Sequence, residues 1–297
     1  MRPVLRPGFD VYRRDRNHLQ FGTSTDDCLV VEDRPGLVGL LRLLDGYRDL
    51  TTVALLASDG VPALTDPPAG LIAALQDAGI VVDAEPWDND EPGLDAEARS
   101  LALAGVAAPE MRDRLVRRAQ SCVELRVDPA TTALADSATA CVRDLGVDVA
   151  YAPGQLATVA LVISAGPADR ATYAAFRHER VPHLVAAVDG ARVQIGPFVQ
   201  PATSPCVECS DRQRAEWDPC WSAVVAQLGT PLARPADPYA LSATTRQLAS
   251  ALIAHEIAAF CDEVEPRTAS RTITLGPDLH DWEETEVAFH PQCPCRR

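Results

Sequence analysis

The apolar positions along the chain change their spacing near residue 83, and this change predicts two parts. In the first part, short alternating segments precede segments whose apolar residues recur every three or four positions, so strands are followed by helices. We predict strands at 10–13, 18–22, 28–32 and 80–82, and helices at 36–44, 51–57 and 68–78. Paired strands followed by three helices is the order of a winged helix, although other small α+β folds share it.

The second part alternates apolar strands with helical segments, which is typical of a parallel sheet covered by helices. The predicted strands are 123–127, 147–150, 159–164, 183–188 and 192–199, with helices at 131–145 and 168–179 between them. A long helix at 239–264 and late strands at 271–275 and 285–289 complete this part. The predicted fold class is α/β: a winged-helix-like module, then a Rossmann-type, mostly parallel sheet.

The boundary between the two parts is predicted from composition. Residues 85–95 (EPWDNDEPGLD) are rich in prolines and acids, which favours a solvated linker over a packed element. The expected domains are therefore a recognition module at 1–83, an acidic linker at 84–95 and an α/β domain at 96–297.

Charge and hydrophobicity exclude several classes of function. The 297 residues carry a formal net charge of −15, which repels a phosphate backbone, so nucleic-acid binding is not expected. No apolar run has the roughly 20 residues that span a bilayer, and the start has no apolar signal core, which favours the cytoplasm. All 27 basic residues are arginines. Mechanisms that need a lysine, including Schiff bases and the phosphate-binding P-loop, are therefore excluded.

Four of the nine cysteines are spaced as metal ligands. Cys206 and Cys209 form a C-x-x-C pair, and Cys293 and Cys295 form a C-x-C pair near the end of the sequence. Four thiolates with no open position define a closed structural zinc site. Because C-x-C is tighter than the usual spacing, His290 could replace one cysteine. The alternative is two thiol pairs with a redox role or none.

The turn after the strand 123–127 lacks the features of a nucleotide site. Residues 128–133 (DPATTA) contain no glycine, and Asp128 and Pro129 stand where phosphates need N–H donors. The next strand runs into Ala152-Pro153-Gly154 without the acid that bonds a ribose hydroxyl. ATP binding is therefore not expected, and the sequence favours a protein that is not an enzyme.

A block in the second half resembles a known family. The segments Val188–Gly190, Ile195–Val199 and Ser204–Cys209, followed by Arg212, Arg214, Asp218 and Trp221, are similar to ThiF-like proteins of azole-forming peptide biosynthesis. These proteins are called cyclodehydratase-domain or leader-peptide-binding proteins. They take part in the biosynthesis of ribosomally made, modified peptides (RiPPs) of the TOMM class, which includes bacteriocins. The resemblance implies a winged-helix element that recognises a precursor peptide, and a zinc-bearing, degenerate relative of ubiquitin-activating-type adenylating enzymes. It also implies a separate YcaO-type cyclodehydratase that performs the ATP chemistry.

The small module suggests how a peptide is bound. An extended peptide can add a strand to an open sheet edge. The expected groove lies between the strand 28–32 and the helix 68–78, with Leu29 and Val31, or their opposite-face neighbours, and Leu71, Leu75 and Gln76 as contacts. The helical spacing of Leu71, Ile72 and Leu75 is more typical of core positions than of a binding surface.

Other polar and aromatic residues have weaker signals. Arg212 and Arg214 could contact an anion, but helix arginines in solvent are common. His183, without an acid or cysteine at ligand spacing, is expected to be an ordinary packed or surface histidine. Trp217 and Trp221 are expected to anchor a helix to the core or to a second subunit, which would make a homodimer.

The sequence thus favours a non-catalytic protein that binds the leader of a precursor peptide and presents it to a YcaO-type cyclodehydratase. One alternative is an ATP-dependent adenylating or sulfur-transfer enzyme of the ThiF class. A second is a winged-helix regulator or a scaffold.

Overall fold

A computed structural model of the chain describes residues 1–24, 28–84, 94–150, 157–228, 239–278 and 282–296. The chain forms two compact units, Met1–Asp113 and Arg114–Arg297. Their boundary falls inside a helix, Ala108–Gln120. Residues 85–93 of the predicted linker (84–95) are outside the part of the chain that the structure describes. The domain division predicted at this linker stays a prediction.

The first unit combines two small antiparallel sheets with helices. Its strands are β1 (Pro3–Leu5), β2 (Val11–Arg13), β3 (His18–Phe21), β4 (Leu29–Glu32) and β5 (Val81–Asp83). Its helices are α1 (Leu37–Leu41), α2 (Leu50–Gly60), α3 (Pro68–Asp77) and α4 (Leu94–Leu103), and α5 (Ala108–Gln120) crosses into the second unit. The sheet orders are β2-β3-β4 and β1-β5.

Strand β3 supplies the centre of this unit's core. Leu19 and Phe21 are 1% and 0% exposed and pack against apolar residues of α1, α2 and α3. Helix α2 begins where the Asp49 carboxylate accepts a hydrogen bond from the Thr52 N–H at 2.7 Å, which satisfies a free donor of its first turn. The predicted order of strands and helices is present. Strand β1 was not predicted, because Pro3 and its neighbours give no alternating run of useful length; the winged-helix assignment stays a prediction.

The second unit is built on a seven-stranded sheet with the order β12-β11-β10-β9-β8-β6-β7. The strands are β6 (Cys122–Val127), β7 (Asp148–Ala150), β8 (Val159–Ala165), β9 (His183–Asp189), β10 (Arg192–Val199), β11 (Arg271–Leu275) and β12 (Trp282–Glu286). Pairs β6–β7, β6–β8 and β8–β9 are parallel, and the remaining three pairs are antiparallel. Five of the seven strands therefore point the same way, and the predicted fold class is confirmed.

Helices cover both faces of this sheet. They are α6 (Thr132–Asp144), α7 (Arg170–Glu179), α8 (Val207–Ala215), α9 (Trp221–Val225) and α10 (Ala243–Cys261). Leu161 and Ile163 of β8 pack with residues of α6 and α10, whereas Ala160 and Val162 pack with residues of α7 and α8. Successive side chains of one strand thus enter opposite layers, which explains why β8 is apolar throughout.

Two late elements differ from their predictions. The last strand is 282–286 rather than 285–289. All of its residues are exposed, so it has no apolar alternation to reveal it, and it is held by the backbone ladder with β11. Helix α10 begins only at Ala243, because the Ser242 hydroxyl caps it by accepting from the Thr245 N–H at 3.0 Å.

Among the described residues, none of the helices combines the length and the apolar character that crossing a lipid bilayer requires.

Candidate metal centre and adjoining cavity

The two cysteine pairs meet beside helix α8. Cys206 precedes the first residue of α8 and Cys209 lies in its first turn, which brings their sulfur atoms to 3.9 Å. The Sγ of Cys206 lies 3.6 Å from that of Cys293, and the Sγ of Cys209 lies 3.4 Å from that of Cys295. All four sulfur atoms lie within 4.8 Å of one another.

This arrangement fits a four-coordinate soft metal. Ligands about 2.3 Å from a tetrahedral zinc are separated by about 3.8 Å, close to the distances seen here. The four cysteines are at most 8% exposed. The imidazole of His290 instead pairs with Glu216 at 3.2 Å and accepts the Gln292 N–H at 3.2 Å. The four-sulfur cluster is therefore complete without His290.

The thiols lie in unequal environments. Burial raises the pKa of Cys206 well above its usual range and that of Cys295 to about 12. Burial acts in the same direction on Cys209, but hydrogen bonds from the backbone of His290 and Cys206 outweigh it and lower the pKa of that thiol. Four thiolates so close together repel one another, so a bound divalent cation is what would let them ionise together.

A cavity of about 440 Å³ adjoins the cysteine cluster, and Cys206 and Cys295 form part of its wall. Another part of the wall is the ion pair of Arg170 with Asp211, to which the indole of Trp221 is also hydrogen-bonded. Arg170 donates to the two carboxylate oxygens of Asp211 at 2.7 and 2.9 Å, and the Trp221 indole N–H donates to the same carboxylate at 3.0 Å. Trp221 is 9% exposed and anchors α9 to α8, whereas Trp217 is 71% exposed.

The arginines predicted as anion contacts are engaged inside the protein. Arg212 donates to Glu208 at 2.7 Å, and Arg177 donates to the other oxygen of that carboxylate at 2.8 Å. The guanidinium of Arg214 lies 3.5 Å from the ring centroid of Trp221. These contacts orient α8 along the cavity, and the anion role of Arg212 and Arg214 stays a prediction.

Tyr173 and His183 are two cavity residues whose sequence context predicts no functional role. They are 7% and 2% exposed, and their rings stack with centroids 5.8 Å apart. Burial lowers the pKa of His183 to about 4 and raises the pKa of Tyr173 to about 12, so both are neutral at pH 7. Neither residue carries a spacing signal, because only the packing of α7 on β9 brings them together.

The turn after β6 uses its backbone donors internally. The Asp128 carboxylate accepts from the Ala130 N–H at 2.9 Å, and the Asp128 carbonyl accepts from the Thr131 N–H at 2.9 Å. These groups would otherwise face a phosphate at the start of α6. The predicted absence of a ribose-binding acid falls on residues 151–156, outside the described part of the chain.

The residues predicted to line the peptide groove lie mostly toward the core of the first unit. Leu71 and Leu75 are buried at 7% and 6% exposure, and Leu29 and Val31 are half-buried against the same core. The Gln76 amide donates to the Met1 sulfur at 3.1 Å. On β4, the neighbours Val30 and Glu32 are the exposed side chains.

The architecture is that of a ThiF-like domain preceded by a small α+β unit, as the sequence resemblance implied. No protein-family model matches the chain, and no curated protein matches it in sequence. Among solved structures, a heterocyclase in complex with substrate and cofactor matches with a TM-score of 0.70 and 18% identity over 99% of this chain. The heterocyclase TruD matches with a TM-score of 0.66 and 16% identity over 99% of this chain.

A third similar structure is MccB of E. coli, described with MccA-N7isoASN; it has a TM-score of 0.57 and 12% identity, and the match covers 100% of this chain and 99% of that one. By contrast, the chain spans only 39% and 42% of the two heterocyclases. At these identities the similarity establishes the fold.

Proposed function

We propose that the protein binds the leader of a ribosomally made precursor peptide and presents it to a YcaO-type cyclodehydratase. The fold it shares with a substrate-bound heterocyclase and with MccB in complex with MccA supports this context. In this role the chain recognises the peptide, and the ATP chemistry belongs to the partner.

The observation that carries the proposal is the open edge of β4. In the β2-β3-β4 sheet, β4 is an outer strand, and no further strand pairs with it among the described residues. In an antiparallel pair of strands, residues that lie opposite each other alternate between hydrogen-bonded and non-hydrogen-bonded pairs. Asp33 and Asn17 form a hydrogen-bonded pair, because the Asp33 N–H donates to the Asn17 carbonyl at 2.7 Å. Continuing that alternation along the register, Val31 and Leu29 bond to β3, while Val30 and Glu32 direct their backbone groups outward. An extended peptide can pair with those groups.

The exposed face beside this edge has apolar side chains for a peptide to contact. Tyr12, Gln20 and Val30 are opposite one another across the three strands and so share one face. Tyr12 and Val30 are 44% and 45% exposed. A peptide on β4 would place alternate side chains next to Val30, which supplies selectivity in addition to backbone pairing.

The variant Val30→Pro tests this geometry. Proline removes one outward N–H but none of the bonds to β3, and edge strands tolerate it at such positions. Leader peptides encoded beside the protein would be titrated by fluorescence anisotropy. We expect micromolar binding by the wild type and at least tenfold weaker binding by Val30→Pro, since one backbone bond is lost and the proline ring obstructs the edge.

Arg13→Pro is the control on the opposite edge, and because it also breaks the ion pair of Arg13 with Asp33, Arg13→Ala is measured beside it. The Arg14 N–H bonds to the His18 carbonyl at 3.0 Å, so by the same alternation Arg13 directs its backbone outward on β2. Its binding should equal that of the wild type. Equal weakening in both proline variants, or binding unchanged in Val30→Pro, would refute recognition at the β4 edge.

For the four cysteines we propose a structural zinc site. Zinc would be held by Cys206, Cys209, Cys293 and Cys295, and its charge would compensate the thiolates and join the end of the chain to α8. The ligands must remain reduced, which suits the cytoplasm.

A second candidate function is nucleotide-dependent adenylation. MccB with ATP matches over 100% of both chains at a TM-score of 0.58. The hydrogen bond that the Ala130 N–H donates to the Asp128 carboxylate weighs against it, because this N–H is then not free for a phosphate and the carboxylate repels anions. Calorimetric titration with MgATP tests it: we expect no heat of binding, and a dissociation constant of about 1 mM or lower would favour the enzyme.

Self-association is a further proposal, centred on Trp217. This exposed indole stacks with Arg214 at 5.5 Å from its centroid and offers an apolar surface to a second copy. Sedimentation equilibrium should show a dimer that Trp217→Ala dissociates; a monomeric wild type would contradict this.

A further inference from the structure

Two buried polar atoms, on residues that line the cavity beside the cysteine cluster, have no hydrogen-bond partner within the described protein. They are the Tyr173 hydroxyl and the Nε2 atom of His183. Both residues are more than nine-tenths buried. Buried polar atoms are nearly always paired, because leaving one unpaired costs stability. Two in one cavity indicate that a bound group supplies the missing partners.

The hydrogen-bonding roles of these atoms define the bound group. The Nδ1 atom of His183 lies 3.0 Å from the Val181 carbonyl, which can only accept, so Nδ1 carries the proton. Nε2 is therefore an acceptor and needs a donor from the ligand. The Tyr173 hydroxyl can donate to a ligand acceptor. An amide provides both groups, an N–H and a C=O, in adjacent positions.

The charges around the cavity argue against an anionic ligand. Arg170 is paired with Asp211, and Arg177 and Arg212 are paired with Glu208. These are the three arginines of the lining, so each cation there already has a carboxylate partner. The remaining wall includes apolar side chains such as Val199, Val207 and Val225. An uncharged group with an apolar body suits such a wall.

We propose that this cavity binds a small, uncharged, amide-bearing ligand with an apolar substituent. Its volume of about 440 Å³ lies within the range of small-molecule sites. His183 begins β9, so the cavity lies at the amino ends of the parallel strands, whereas the Asp128 turn follows the carboxyl end of β6. The site is thus separate from the nucleotide position of this fold, and it does not depend on peptide recognition at β4.

The same amide chemistry occurs in a free small molecule and in a peptide, and two probes separate these sources. N-benzylacetamide represents a free amide, and N-acetyl-L-phenylalaninamide represents a residue within a peptide. N-acetyl-L-phenylalanine, which has a carboxylate, tests the exclusion of anions. Dissociation constants would be measured on the full chain by ligand-observed NMR.

Tyr173→Phe removes the hydroxyl and keeps the stacked ring. We expect it to raise the dissociation constant of the amide that binds by about five- to tenfold, which is the effect of one lost hydrogen bond. The variant without ligand should melt at the same temperature or higher, because an unpaired buried hydroxyl has been removed. Tyr47→Phe, at an exposed site of the other unit that has no part in the proposed peptide face, is the matched control and should bind as the wild type does.

The outcomes separate the possibilities. Binding of both amides, or of either one alone, with loss in Tyr173→Phe supports the site, and the better probe identifies the source. Binding of the carboxylate as tight as that of the amides contradicts the uncharged ligand. Failure of both amides to saturate below about 10 mM, or equal affinity in Tyr173→Phe, overturns the proposal.

Discussion

Asp262 receives two hydrogen bonds from Arg118, from Nε at 2.8 Å and from Nη2 at 2.7 Å. Both residues are 5% exposed, and they are 144 positions apart in the sequence. The pair joins the end of α10 to α5 just before β6, so it fixes how the long helix lies on the sheet. A bidentate pair of this kind is both directional and strong.

We expect Arg118→Met to destabilise the protein by about 3–5 kcal/mol, because it leaves the Asp262 carboxylate buried without this partner. Urea unfolding followed by circular dichroism measures the change. Glu283→Gln is the control, since its pair with Arg192 is exposed, and it should cost less than about 1 kcal/mol. Similar losses in the two variants would show that burial of the Arg118–Asp262 pair has no special effect.

Replacing one cysteine of the cluster should remove the metal. We expect Cys293→Ser to lower the zinc content from about one per chain and to lower the melting temperature by about 5–10 °C, because the end of the chain is released from α8. The measurements are elemental analysis of protein purified in reducing buffer, and calorimetry. Cys220→Ser, at an exposed cysteine, should change neither quantity. Wild-type protein without metal would contradict a zinc site.

His183 predicts a pH dependence of stability. Burial lowers its pKa to about 4 from 6.5, so below pH 6.5 the unfolded chain binds a proton that the folded protein does not. The free energy of unfolding should therefore fall as the pH decreases from 6.5 to about 4, by up to roughly 3 kcal/mol.

The variant His183→Phe should remove this part of the slope, and His255→Phe, at an exposed position, is its control. Denaturation at several pH values gives the difference in the free energy of unfolding between each variant and the wild type. Any loss of stability in acid that comes from the cysteine cluster is common to both proteins and cancels in this difference. The same slope in His183→Phe and the wild type would contradict the assignment.

Gly196 should not tolerate a side chain. Its φ is 96°, and an added Cβ would lie 2.7 Å from the Arg271 carbonyl oxygen and 2.9 Å from the Thr268 Cβ. We expect Gly196→Ala to destabilise the protein by about 2 kcal/mol or more, through the clash and the left-handed backbone together. Gly70→Ala, inside α3 where a Cβ meets nothing within 4 Å, should be neutral or stabilising. Equal thermal stability of the two variants would argue against the close packing of β10 on Thr268.

Much of the molecule was predictable because it depends on neighbours in sequence. Strands β8 and β9 are continuous apolar runs and β10 alternates at its start, and these local patterns match their predictions within one residue. The cysteine cluster was predictable for a related reason: thiolates at C-x-x-C spacing favour one chemistry, and a second pair supplies the remaining ligands. Strand β12 was misplaced because its exposed, polar residues have no such periodicity.

The sequence by itself determined the order of the elements, the α/β class and the set of four cysteines, because local periodicity and ligand chemistry are written into neighbouring residues. Only the tertiary structure decided which side chains face solvent on β4, that Asp128 occupies the donors of its own turn, and that Tyr173 and His183 meet at one cavity. These features depend on contacts between distant residues. Such contacts follow from how helices pack on the sheet, and a single sequence has no periodic signal for them.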